Sequence, residues 1–231
     1  MRFQPRSVRR GVGRPLAGLL VLVAAVTAAC SSGNTSASST TTPLAPVSAA
    51  PSGASTGPSG STSAAVALST AMPPWPIPAD AAPYIAAAGL VASSEEHVDV
   101  HYHAHLDILV NGHAVPVPAG IGFIVQGGQA TGLTSLHTHD TSGVVHIESP
   151  KNVPFTLGQF FTEWGVALGP GRLGGLTDNA SQVLRVFVDG QPFTGNPATI
   201  VFRPHQEIAL WYGARNAPAN VPARYDFPAG E

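Results

Sequence analysis

From Val98 to Ile108 apolar and polar residues alternate: Val98, Val100, Tyr102, Ala104, Leu106 and Ile108 are apolar, with Val110 continuing the row, while Asp99, His101, His103, His105 and Asp107 interleave with them and Leu109 breaks the pattern at its end. Side chains two apart on a strand point the same way, so this period predicts one long, half-buried strand with a histidine-bearing face. Asn111-Gly112 supplies the left-handed backbone of a tight hairpin, and Ala114–Pro118 returns along it with prolines suited to an edge. Ile121–Val125 is a further short strand, and residues 135–149 form a second hairpin turning through Asp140–Gly143.

A helix should follow. Thr156 is placed to cap it, Phe155 to staple it, and Leu157, Phe160, Phe161 and Trp164 recur at i, i+3, i+4 and i+7 before Gly165 ends it. Those aromatic residues read as core, and Glu163 as part of the solvated helix face. An earlier short helix, Ala81–Ala88, starts behind Asp80 and stops at Gly89. Val183–Val188, a turn at Asp189-Gly190, Thr199–Phe202 and Glu207–Tyr212 complete the strands, with Phe187, Val201, Leu210 and Trp211 in the strand core or at its margin. LDILVNG (106–112) and LRVFVDG (184–190) share a strand-turn pattern. Hairpin, helix, hairpin is the order of a β-rich α+β domain of antiparallel hairpins with one main helix, β-grasp-like, with a small β-sandwich as the rival.

Upstream, the chain reads as an address and a tether. Residues 1–15 are Arg-rich, and 16–29 are a short apolar run ending in small residues before Cys30, the only cysteine. That is a signal-peptide layout over 1–29, too short to span a membrane comfortably. Val26–Cys30 resembles a bacterial lipobox, which implies lipidation of Cys30 and a cell-membrane anchor on the extracytoplasmic side. An ordinary secretory signal before an incidental cysteine is the alternative. Apart from Asn34, Leu44, Val47, Val66 and Leu68, every position from 31 to 71 is Ser, Thr, Ala, Gly or Pro. Such a stretch cannot bury enough apolar area to offset its ordering entropy, so 30–75 is expected to be a disordered tether and 76–231 the folded domain. Five of the eleven basic residues precede position 15, so removing 1–29 leaves six basic against thirteen acidic, a formal charge of −7. That balance argues against nucleic acid as a partner. The protein partner is open.

Eight of the nine histidines lie between positions 97 and 146. Neighbours among His101, His103 and His105 stand about 6.5–7 Å apart along one strand face, close enough for two rings to reach one ion. His137 and His139 form a second such pair. If the second hairpin pairs residues whose numbers sum to 283, His137 lies opposite His146, and Ser135 opposite Glu148. Three neutral imidazoles with an open position suit Zn²⁺ or Cu²⁺. The predicted metal set is His101, His103, His105, His137, His139 and His146, with Asp140 and Glu148 as outer acceptors or direct ligands. His97, His113 and His205 read as solvent-facing or locally satisfied. A pH-sensitive polar ladder over His101–His105 is the alternative to ligation.

The segments HYHAHLDILVNG (101–112), LHTHDTSGVVHIES (136–149) and FTLGQFFTEWG (155–165) resemble those of a family of largely uncharacterised secreted or membrane-tethered proteins of bacteria and archaea. The resemblance spans about residues 97–213 and implies that the histidine motifs share one domain; it implies no particular reaction. The triple histidine also resembles the nucleotide hydrolases of the histidine-triad type, but Asp107 breaks that motif's apolar ending. His-x-His pairs occur in metal amidohydrolases, whose barrel needs about 250 residues. The cupins, with histidines and a glutamate on strands, are the nearest enzymatic comparison. No Gly-x-Ser-x-Gly elbow, phosphate loop or cysteine nucleophile is present in the domain. Three functions therefore stand: metal capture, buffering or delivery; a zinc-dependent hydrolase or lyase; and a metal-free adhesion or scaffolding module.

Overall fold

The computed structural model describes residues 65–231; the expected signal segment, Cys30 and most of the tether lie outside the described residues. In chain order come α1 (Ala82–Ala87), β1 (Val100–Val110), β2 (His113–Ala114), β3 (Phe123–Gln126), β4 (Gln129–Leu133), β5 (Leu136–His137) and β6 (Val144–Ser149). Then follow α2 (Leu157–Glu163), β7 (Leu168–Gly169), β8 (Arg172–Leu173), β9 (Leu176–Thr177), β10 (Gln182–Val188), β11 (Gln191–Phe193) and β12 (Glu207–Ala214). The fold is β-rich α+β. Its main sheet is mixed, in the order β11-β10-β12-β1-β6-β5, with β2 pairing onto β1; β3–β4 and β7–β9 are separate small sheets. Among the described residues no helix is long and apolar enough to cross a membrane.

The alternation of β1 is realised as two faces. Ala104, Leu106 and Ile108 join Val145 and Ile147 of β6, Leu184 and Val186 of β10, and Ile208 and Leu210 of β12 in one core with Leu157, Phe160, Phe161 and Trp164 from the helix. Burying such side chains stabilises the fold by about 1.5–3 kcal/mol each. The odd positions of β1 turn to the opposite face. β1 is fixed from both sides, antiparallel to β6 (His103 opposite His146, His101 opposite Glu148) and parallel to β12 (His105 opposite Glu207). Both strand-turn repeats form tight turns with left-handed backbone, φ 52° and 81° at Asn111-Gly112 and 51° and 73° at Asp189-Gly190.

Thr156 caps α2 in a reciprocal box, its hydroxyl accepting from the Gln159 amide while the Gln159 side chain accepts from the Thr156 amide. Three expectations are corrected. Glu163 is only 1% exposed, because the β4–β5 connection at Thr134 closes over the edge of the apolar stripe where it sits. Thr199–Phe202 is not a sheet strand: a 3₁₀ turn, Pro197–Thr199, leads into a segment that pairs with the entry to α2 through Leu157 N–H to Ile200 O and Phe202 N–H to Phe155 O. The packed chain also begins before residue 76, since Ser69 bridges Val166 and Trp75, 2% exposed, meets Trp164 edge-on at 6.0 Å.

Candidate metal centre

The second hairpin takes the register in which residue numbers sum to 283: Leu136 pairs with Ile147 and His137 with His146. With His103 opposite His146 on the other side, β6 carries its histidine between two histidine-bearing strands. Five imidazoles and one carboxylate meet. His101 Nε2 lies 3.2 Å from His103 Nε2, and His103 Nε2 lies 3.0 Å from His146 Nδ1. His137 Nε2 lies 3.2 Å from His139 Nε2. Two nitrogens bound tetrahedrally to one ion at about 2.0–2.1 Å stand about 3.3 Å apart, so rings at these separations, which also fit N–H···N hydrogen bonds, could hold a metal ion.

Glu148 sits in the middle, 5% exposed. Its Oε1 is 3.3 Å from His101 Nε2 and 3.5 Å from His146 Nδ1, while Oε2 is 4.0 Å from His137 Nε2. Oε2 is buried without a hydrogen-bond partner. His101, His103, His146 and Glu148 form one group able to hold a metal ion, and His137, His139, His146 and Glu148 form another. Sequence reasoning allowed Glu148 as outer acceptor or ligand; its position is within ligand reach.

The surroundings prepare these rings as neutral ligands. His137 is fully buried, and its Nδ1–H donates to the Thr134 carbonyl at 3.0 Å, which leaves Nε2 as the free lone pair. Phe123 lies edge-on to His137 and His139, with ring centres 5.6 and 5.7 Å away. Burial, then repulsion from neighbouring histidines, pulls His103 down to about 4 and His146 to about 3. Burial also brings His137 to about 4, although the Thr134 carbonyl opposes it. Burial raises the Glu148 carboxyl, with Glu96 adding to the shift and His101 and His139 opposing it. Gly122, at φ +81°, lets the β3 lead-in run against β5; a Cβ there would stand 2.2 Å from Leu136 O.

Two predicted residues stand apart. His105 shares the face of His103, but its Nδ1 is 2.8 Å from Glu207 Oε2 and its Nε2–H donates to Ser142 O at 2.9 Å. Whichever of His105 and Glu207 carries the shared proton, neither ring nitrogen has a lone pair to spare. Tyr225 stacks on the ring at 3.8 Å. The donors of His105, Asp107 and Glu207 lie within 4.8 Å of one another; both His105 nitrogens are engaged there, while Glu207 Oε1 is buried without a hydrogen-bond partner. Asp140 is exposed and accepts from the Ser142 amide at 2.8 Å, closing the turn. Of the remaining histidines, His113 is exposed, His97 half-buried, and exposed His205 hydrogen-bonds Glu231 O at 3.1 Å.

Sequence reasoning did not single out Glu96, Thr134 or Glu207. Glu96 Oε1 lies 3.8 Å from His139 Nε2 at the solvent side. Beneath the site, burial holds the Glu163 carboxyl well above the usual range, opposed by the Thr134 hydroxyl, which donates to Glu163 Oε2 at 2.8 Å. Leu136 O is a second acceptor within reach of the same hydroxyl proton. Beside His137 and Glu148 opens a cavity of about 280 Å³, also lined by Glu96, His97 and Lys151. No protein-family model, curated protein or solved structure matches this chain.

Proposed function

We propose that this chain is an extracytoplasmic, lipid-anchored protein that binds a transition metal, Zn²⁺ or Cu²⁺, for capture, buffering or delivery. The carrying observation is the 3.0–3.2 Å spacing of the nitrogens of His101, His103 and His146, and of His137 and His139, around a buried carboxylate. Several imidazoles packed nitrogen to nitrogen beside a buried carboxylate, three of them with lowered pKa values, form an arrangement that a cation would stabilise. The anchor at Cys30 and the tether rest on the signal-like N-terminus and its composition. A β-grasp-like architecture is supported by the pairs β1–β6 and β10–β12, separated in sequence by α2 and joined through parallel β1–β12.

The test is elemental analysis of the untagged full chain after dialysis against a weak chelator. At least one equivalent of Zn or Cu is expected, and its loss in a variant carrying Ala at His101, His103, His137 and His139. A metal-free chain that still folds would refute the reading and favour the adhesion module. The cavity beside His137 and Glu148 favours one second reading, a metal-dependent hydrolase or lyase with an activated water at an open position. That reading requires turnover that vanishes with a chelator and returns with metal.

A further inference from the structure

Resting on the metal-binding reading, we infer that the site holds two metal ions, bridged by Glu148. The histidines divide into two pairs on different strands. His101 and His103 aim Nε2 atoms 3.2 Å apart toward one point, and His137 and His139 do the same toward another. Each separation matches two ligands of a single ion, about 3.3 Å for tetrahedral coordination. Glu148 divides its two oxygens between these points. Oε1 faces His101 and His146, at 3.3 and 3.5 Å, and Oε2 faces His137 at 4.0 Å.

Oε2 is the deciding atom. It is buried, receives no hydrogen bond, and belongs to a carboxylate that is 95% buried by its 5% exposure. An orphaned buried acceptor costs about 1–3 kcal/mol, more if charged, and a cation beside His137 would supply its missing partner. A single ion between Oε1, His101, His103 and His146 leaves it orphaned. A carboxylate that turns one oxygen toward each point is placed to bridge two ions. His146 lies within reach of both positions and completes the first through Nδ1. The second opens to solvent past His139 and Glu96.

The experiment titrates the untagged full chain with Zn²⁺ against a competing chelator and, separately, loads it with Cu²⁺ for electron paramagnetic resonance. Two ions per chain are expected, with the two Cu²⁺ spins coupled. His101→Ala with His103→Ala, and His137→Ala with His139→Ala, should each leave one ion and an uncoupled Cu²⁺ signal. Glu148→Gln should weaken the second ion at least tenfold and abolish the coupling. One ion per chain in the unsubstituted protein overturns the bridge while leaving metal binding intact; no ion overturns both. Two uncoupled ions that survive the paired substitutions would place the metal elsewhere and overturn the bridge as well.

Discussion

His103 and His105 are two residues apart on one strand, face the same side and are about equally buried, at 3% and 4% exposure. Their neighbours make them opposites. Burial, and after it the surrounding imidazoles, lowers the pKa of His103 to about 4. Against His105 stands Glu207; burial would lower that ring too, but the carboxylate's hydrogen bond and charge outweigh it, so its pKa is raised. A histidine on this face becomes a candidate ligand or a fixed ion-pair partner according to what the adjoining strand presents: β6 offers His146, and β12 offers Glu207.

The largest effect should come from splitting the ion pair. Glu207→Ala, measured by urea denaturation at pH 6, should cost about 3–5 kcal/mol, the range for removing one partner of a buried pair. Metal affinity of the folded fraction should stay within a few-fold. Conversely, His103→Ala should weaken metal binding at least about 100-fold in chelator competition, the upper end of what even outer partners cost. His105→Ala should leave that affinity nearly unchanged; equal losses in the two variants would erase the distinction.

Acidity separates the same two environments. His103, His137 and His146 have folded pKa values of about 4, 4 and 3 against 6.5 unfolded, so below pH 6.5 the unfolded chain takes up more protons. The metal-free protein should therefore lose stability steadily from pH 6.5 toward 4. His105 has the reverse sign: its contribution is fully present below 6.5 and is lost as pH rises through its raised folded value. Denaturation midpoints at pH 7 and 5, with and without Glu207, resolve the two slopes. Thr156→Ala removes the cap of α2 and touches neither environment; it should cost about 1 kcal/mol and leave metal affinity and both pH slopes unchanged.

What was readable in the sequence was what local periodicity encodes. The two faces of β1, the turn at Asn111-Gly112 and the capping box at Thr156 follow from neighbouring residues, whereas the register that sets His137 against His146 is only one supposition until the strands are seen to pair. The parallel pairing of β1 with β12 joins residues about a hundred positions apart, and no local pattern announces it. For that reason the alternation put His105 with the ligands, and only the parallel partner reveals why it is otherwise engaged. Glu163 misled for a similar reason: helical spacing put it at the edge of the apolar stripe, and the distant Thr134 decides that the edge is covered.

The placement of β12 has a consequence for how the protein comes into being. Among the described residues it is the last strand in chain order, yet it flanks the central histidine strand. A ribosome or translocase releasing the chain from its N-terminus exposes every imidazole of the cluster before the strand that completes their support exists. Assembly of the cluster should thus be a late event in folding, and a product truncated before position 207 should fail to hold these histidines together.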